Sequence, residues 1–170
     1  MDVTFNENKE NLGVSGNLNK IISINNCEWI KFLAGDDLLT ENCITELVRF
    51  SNLNDYKIIS SRCITFGDYE TVLPLESKKC FYEMTALEQF KYLGIGNFVM
   101  APTLFYHAKT LKKLGGFSEK FKIIEDLPML LTYTKNNIKI GFCDKILVKY
   151  RIHSSSTSLS RDKIYYFRGS

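Results

Sequence analysis

The run Trp29-Ile30-Lys31-Phe32-Leu33-Ala34-Gly35-Asp36-Asp37 limits what this chain can fold into more than any other stretch, because an apolar segment stops there on two adjacent carboxylates. Four of the five residues from Trp29 to Leu33 are apolar, mostly aromatic or branched, which predicts a buried strand of an α/β sheet. Gly35 is expected to let the backbone turn sharply as it leaves the sheet, and open α/β sheets bind ligands at the carboxyl ends of their strands. Asp36 and Asp37 are therefore predicted at the mouth of a cleft.

Neighbouring carboxylates repel each other in a dry site, and a cation, a proton or open solvent relieves the repulsion. A hard divalent ion fits such a pair, since Mg²⁺ is commonly held by one or two protein carboxylates with waters and substrate phosphates completing its shell. The residues alone also allow a plainer reading, a solvated turn in which Asp36 or Asp37 caps the next helix.

Composition sets the outer bounds. A chain of 170 residues with 45% hydrophobic residues is the size of one domain with a real core, so residues 1–170 are read as a single domain. The charge is +3, from 22 basic and 19 acidic residues without a long run of either sign, and this leaves no footprint for nucleic acid. The five cysteines, Cys27, Cys43, Cys63, Cys80 and Cys143, are widely separated with no Cys-x-x-Cys pair, so they are expected to be reduced core residues of a cytosolic protein. No stretch approaches the roughly 20 apolar residues of a membrane span, and the polar start has no secretory pattern. The expected location is the cytoplasm, with peripheral contact at the inner membrane through the substrate.

Along the chain, Val14, Leu18, Ile21 and Ile22 have helical spacing, ended by Asn25-Asn26. Thr40 is expected to cap a helix carrying Ile44, Leu47 and Val48 on one side. Tyr56 to Phe66 is strand material, and Gly67-Asp68 turns into a second extended piece at Thr71 to Leu75. Thr85-Ala86-Leu87-Glu88 matches a capping box for a helix with Leu87, Phe90 and Leu93 on its apolar side. A loop of small residues from Gly94 to Pro102 precedes an extended Thr103 to Tyr106 and a helix closed by Gly115-Gly116. A last helix opens around Ile123-Ile124-Glu125-Asp126, Ile138 to Phe142 and Ile146 to Ile152 read as strands, and a serine-rich exit begins at His153.

Glu125-Asp126 is a second acidic pair at a helix start, where the helix dipole favours the ionised form and where Asp126 could simply be the cap. The order Asn11-x-Gly13, Asn17, a strand ending in Asp36-Asp37, Gly115-Gly116-Phe117, Glu125-Asp126 and Tyr150-Arg151-x-His153 resembles the family 2 nucleotide-diphospho-sugar glycosyltransferases. The resemblance covers nearly the whole chain.

The resemblance implies a GT-A fold, a mainly parallel sheet flanked by helices with donor and acceptor meeting at the strand ends. It implies transfer of a sugar from a nucleotide-diphospho-sugar donor to a saccharide or lipid-linked acceptor, inverting and metal-dependent, in bacterial surface polysaccharide synthesis. Asp37 would hold Mn²⁺ or Mg²⁺ on the donor diphosphate, with Asp36 on the ribose or reaching the ion through water. Asp126, or Glu125 beside it, would be the base for the acceptor hydroxyl. Arg151 and His153 would reach back to the diphosphate and the ion, and Asn17 and Thr103 join Asp36 and Arg151 as substrate-binding candidates. His107 and Trp29 are read as structural.

Two departures accompany the resemblance. Relatives begin with a nucleobase-binding segment containing Pro-x-x-Asn and a later Asp-Gly-Ser, and neither is present, the first proline being Pro74. The chain is thus expected to be truncated at its N-terminus by a βαβ unit of roughly 30 residues or more, with an exposed sheet edge through which it forms a homo-oligomer. Ala34 stands where many relatives carry a further aspartate. The competing readings are a catalytically inactive remnant acting as a binding module, and a metal-dependent phosphotransferase, which would need an aspartate nucleophile that Ala34 does not supply.

Overall fold

The computed structural model describes residues 3–121 and 125–153. Its elements run α1 (Gly13–Ile24), β1 (Trp29–Lys31), β2 (Leu38–Leu39), α2 (Cys43–Leu53), β3 (Ile58–Gly67), β4 (Val72–Leu73) and a 3-10 helix (Glu76–Glu83). They continue with α3 (Ala86–Leu93), a short 3-10 turn (Ala101–Thr103), β5 (Phe105–His107), α4 (Ala108–Lys113), α5 (Asp126–Lys135) and β6 (Gly141–Ile152). The expected helix start at Ile123-Ile124 and the serine-rich exit after His153 lie outside the described residues.

One sheet orders its strands β1-β5-β3-β6-β2, with β4 paired onto β3. The α/β architecture is as expected, but the sheet is mixed: among the described pairs only β3 and β6 are parallel, and the others are antiparallel. The short strands β2 and β4 run against β6 and β3, and β5 does the same inside the sheet. This short strand enters between β1 and β3 from the opposite direction, so it is antiparallel to both while they point the same way. Hydrophobic runs carry no information on direction. The consequence for function is that β1, β3 and β6 share one orientation and end at one rim.

Side-chain alternation divides the core into two layers. Ile30, Ile58 and Tyr106 face a larger cluster with Ile22, Leu93, Leu111, Leu127, Leu130 and Tyr133. Ile59 and Phe105 face a smaller one with Cys43, Leu47, Cys143 and Leu147, where Trp29 and Leu39 also pack.

Local causes for the helices are visible. At α3 the Thr85 N–H donates to Glu88 Oε2 at 2.8 Å and the Glu88 N–H to Thr85 Oγ1 at 3.4 Å, the reciprocal capping box. Its buried face is Ala86, Gln89 and Leu93, while Leu87 is exposed. At α2 the expected Thr40 cap is replaced by Asn42 at the cap position, and Thr40 Oγ1 donates to the Leu147 carbonyl instead. Cys43 and Leu47, one turn apart, form the buried stripe of that helix, leaving Ile44 and Val48 exposed.

The two expected strands near the C-terminal end are one, β6, whose pairing with β3 shifts register around Ser61, Arg62 and Cys63. Asp144 and Lys145, which lie between the two expected ranges, form an irregularity within the strand. Asp144 pairs with Arg62 and Lys79, and Lys145 with Glu46. All five cysteines are free, but Cys27 and Cys80 are exposed, so only Cys43, Cys63 and Cys143 match the expected buried role. No helix among the described residues is long and apolar enough to cross a membrane.

Candidate active site

The rim where β1 and β6 end carries the first acidic pair. After β1 the chain turns at Gly35 and Asp36, and the Asp37 N–H closes the turn on the Ala34 carbonyl at 3.3 Å. Gly35 is not in the left-handed region and a Cβ there would meet nothing within 4 Å, so this turn does not require glycine, contrary to expectation.

Three contacts bind the turn to the end of β6. The Arg151 backbone N–H donates to Asp37 Oδ1 at 2.9 Å, and Arg151 Nε donates to the Asp36 carbonyl at 3.1 Å. His153 Nε2 lies 3.6 Å from Asp36 Oδ2. The Arg151 guanidinium in turn sits 4.4 Å from the centre of the Phe66 ring at the end of β3, a cation–π contact that holds it over the sheet rim. Four residues of the expected site, Asp36, Asp37, Arg151 and His153, are therefore brought together.

The two aspartates differ in surroundings. Asp37 is only 5% exposed, and burial pushes its carboxyl pKa up, opposed by the Arg151 N–H and reinforced by the Asp36 charge. The Asp36 and His153 side chains are 50% and 44% exposed, so these two face outward while Asp37 faces the protein. Among the described residues no three His, Cys, Asp or Glu side chains converge on a point that would hold a metal. The donor types nevertheless fit: a carboxylate oxygen beside an imidazole nitrogen suits a divalent ion whose other positions come from water and phosphate, and the nitrogen favours Mn²⁺ over the harder Mg²⁺.

Beneath the turn is a residue that the strand pattern had absorbed. Lys31, the lone charge in the apolar run, donates from Nζ to the Pro102 carbonyl and, at 3.1 Å, to the Leu104 carbonyl. Burial pushes its pKa down to about 8, against the pull of Cys43, Asp37 and Cys63. A folded pKa of about 8 against the ordinary 10.5 means that the folded protein binds fewer protons across that window. The contribution is fully present above 10.5 and is lost as pH falls through about 8. Urea unfolding across this window should therefore show stability rising with pH by a component that Lys31→Met lacks; equal slopes in the two proteins would refute it.

Thr103 has a different task from the one expected. It is 1% exposed, its hydroxyl donates to the Met100 carbonyl at 2.7 Å, and it meets Ser60 Oγ at 2.9 Å, which accepts from Tyr82 Oη at 3.2 Å. This buried hydroxyl chain shapes the loop before β5 and leaves Thr103 no surface for a ligand. Asn17 is exposed on α1, where its Oδ1 accepts from Asn8 Nδ2 at 2.9 Å, and no hydrogen bond of its side chain among the described residues reaches the acidic turn. His107 bonds Thr110 and Trp29 stacks on Phe105, the structural roles expected of both.

The second acidic pair opens α5. Asp126 is the first helical residue and Glu125 occupies the cap position without a side-chain capping bond, so the plain capping reading does not hold. Asp126 Oδ2 accepts from Asn97 Nδ2 at 3.2 Å. Burial raises the Tyr106 pKa well above its ordinary value, and Tyr133, Asp126 and Glu125 reinforce the shift, which puts both carboxylates near that phenol. Lys31, opposite Phe105, and Tyr106, opposite Ile30, belong to opposite faces of the β1–β5 ladder. Two surface depressions, one lined by Asn25, Cys27 and Lys112 and the other by Thr40, Lys145 and Lys149, include none of these residues.

Comparison with known proteins gives concordant results. The model of the family described as glycosyl transferase family 2 matches residues 1–114. An uncharacterized glycosyltransferase of Methanocaldococcus jannaschii is 26% identical over 162 residues, which cover 95% of this chain and 54% of that protein. The crystal structure of S. aureus TarS 1-349 in complex with UDP-GlcNAc superposes with a TM-score of 0.66 at 16% identity, over 87% of this chain and 42% of that one. The same protein in complex with UDP gives a TM-score of 0.60 at 16% identity, over 83% and 40%. The likeness to these structures shows a shared fold, of the GT-A type, and the chain spans about half the length of the curated relative.

Proposed function

The chain belongs to glycosyl transferase family 2, and from that premise we propose that it carries the site at which a sugar leaves a nucleoside diphosphate for an acceptor hydroxyl. The observation that supports this reading best is the tie between Asp37 and the Arg151 N–H, 114 residues apart, which sets Asp36 beside His153 at the strand rim. The proposed donor is a UDP-sugar, in keeping with the UDP-GlcNAc and UDP held by S. aureus TarS. The proposed acceptor is a saccharide or lipid-linked alcohol of surface polysaccharide synthesis.

In this reading Asp36 takes the ion-binding role that the resemblance gave to Asp37, and Asp37 becomes structural. Asp36 and His153, both facing outward, would hold a Mn²⁺ or Mg²⁺ ion, and buried Asp37 would keep the turn in place through the Arg151 backbone. When bound, the ion would offset the negative charge that develops on the departing diphosphate. Asp126, held by Asn97, would take the proton of the acceptor hydroxyl as it attacks, since an alcohol is a weak nucleophile until a base removes its proton. A base on one side of the sugar and the leaving group on the other give a single displacement with inversion. Arg151, already engaged by Phe66 and the Asp36 carbonyl, braces the turn rather than gripping phosphate.

Calorimetric titration of UDP with and without Mn²⁺ tests the assignment. Wild type should bind more tightly with Mn²⁺, Asp36→Ala should lose that difference, and Asp37→Asn, which keeps an oxygen for the Arg151 N–H, should retain it. Loss in Asp37→Asn with retention in Asp36→Ala would reverse the two roles. UDP binding in a protein that consumes no UDP-GlcNAc would favour a binding module.

A further inference from the structure

Asn19 lies on α1, outside both acidic pairs, yet its side-chain amide is committed to a loop far along the chain. Its Oδ1 accepts from the Phe117 N–H at 2.8 Å, and its Nδ2 donates to the Phe117 carbonyl at 2.9 Å and to Glu119 Oε1 at 3.1 Å. One side chain thus satisfies both backbone polar groups of one residue, as a neighbouring strand would, and places its second donor on the Glu119 carboxylate. Gly116 makes the approach possible. Its φ is +71°, and a Cβ there would lie 2.4 Å from Asn19 Oδ1.

What the clamp holds is the Phe117 ring. Phe117 is 4% exposed and stands edge-on to two rings, Phe32 at 5.6 Å and Tyr106 at 5.9 Å between centroids. Phe32 lies on the segment that leads from β1 into Asp36 and Asp37. Tyr106 shares its core with Leu127, the residue after Asp126. Interlocked rings at these distances have few alternative arrangements in a close-packed core, so a shift of Phe117 is passed to both neighbours.

We propose that Asn19 is a positioning residue: by clamping the Phe117 backbone it seats the ring between Phe32 and Tyr106, and so sets the spacing between the Asp36-Asp37 turn and the Glu125-Asp126 pair. The inference rests on the reading of those pairs as donor and acceptor sides of one transfer site. A misplacement of about 1 Å between reacting groups is enough to cost about a hundred-fold in rate without loss of binding.

The test has two arms. Hydrogen exchange followed by mass spectrometry on Asn19→Ala and the milder Asn19→Asp should show faster exchange in residues 115–121 and also in 30–37 and 125–131, with the sheet otherwise protected as in wild type. Acceleration confined to 115–121 would overturn the proposal. In the second arm, kcat for UDP-GlcNAc consumption with Mn²⁺ should fall about a hundred-fold in Asn19→Ala while UDP affinity stays unchanged. Asn19→Asp, which keeps the acceptor for the Phe117 N–H, should lie between Asn19→Ala and wild type. An unchanged kcat, or a loss of UDP affinity in step with kcat, would also overturn it. Wild type that consumes no UDP-GlcNAc would refute the transfer reading instead, and the exchange arm still decides whether Asn19 couples the two segments.

Discussion

Asp126→Asn is expected to slow UDP-GlcNAc consumption by about 10²–10⁴-fold while leaving the affinity for UDP with Mn²⁺ at its wild-type value. The amide has the size of the carboxylate and keeps an oxygen to accept from Asn97 Nδ2, which now reaches Asp126 at 3.2 Å, while it removes the basicity. Asp126 also stands at the first position of α5, where a negative charge is favoured by the helix N-terminus, and its loss there is a matter of tenths of a kcal/mol, about 0.3–1. That is too small to unfold the domain. UDP release measured in a coupled assay distinguishes the outcomes: full turnover in Asp126→Asn would remove it as the base and pass the role to Glu125 or to no side chain of this pair.

Gln89→Leu is expected to cost about 2 kcal/mol or more of folding stability, the largest effect of any single polar replacement considered for the core. Gln89 is fully buried, and its side chain donates to the Phe81 and Ile140 carbonyls, each at 3.1 Å, while accepting from the Ile140 N–H at 2.8 Å. Leucine fills a similar volume but takes away the Gln89 partner of both Ile140 backbone groups, at about 1–3 kcal/mol each before any relaxation, while the Phe81 carbonyl keeps the Met84 N–H at 3.2 Å. Urea unfolding should show a lower midpoint with an unchanged slope, since the surface exposed on unfolding is the same. A cost below about 1 kcal/mol would mean that the 3-10 helix and the start of β6 find other partners without it.

Gln89 also shows where sequence reading stops. The periodicity of α3 selected Leu87, Phe90 and Leu93, yet the helix turns Ala86, Gln89 and Leu93 inward and leaves Leu87 exposed. A glutamine scores as polar in any such pattern; only the backbone groups of Ile140 and Phe81, brought alongside by the fold, make its burial favourable. Lys31 is the same lesson on a strand. It is the one charge in an apolar run, and the carbonyls of Pro102 and Leu104 give its amine a place inside.

Features with a cause inside a few residues were legible from the chain alone. The capping box at Thr85 and Glu88, the helix end at Gly115-Gly116 with both glycines at positive φ, and the hairpin of β3 and β4 are as expected. So are the acidic turn after β1 and the acidic start of α5, because a strand end and a helix end are written in adjacent residues.

Other features depended on distant partners. The direction of β5, which with β2 and β4 makes the sheet mixed, follows from where the chain re-enters between β1 and β3. The difference between Asp36 and Asp37, identical in the sequence, arises because the backbone of Arg151 meets one carboxylate and His153 faces the other. The work of Asn19 is visible only once Phe117 is beside it. Local propensity and periodicity act over a turn of helix or a few residues of strand, so they specified the elements and the chemistry at their ends. Burial and hydrogen bonding between residues roughly a hundred positions apart assigned each of those groups its task, and these exist only in the folded chain.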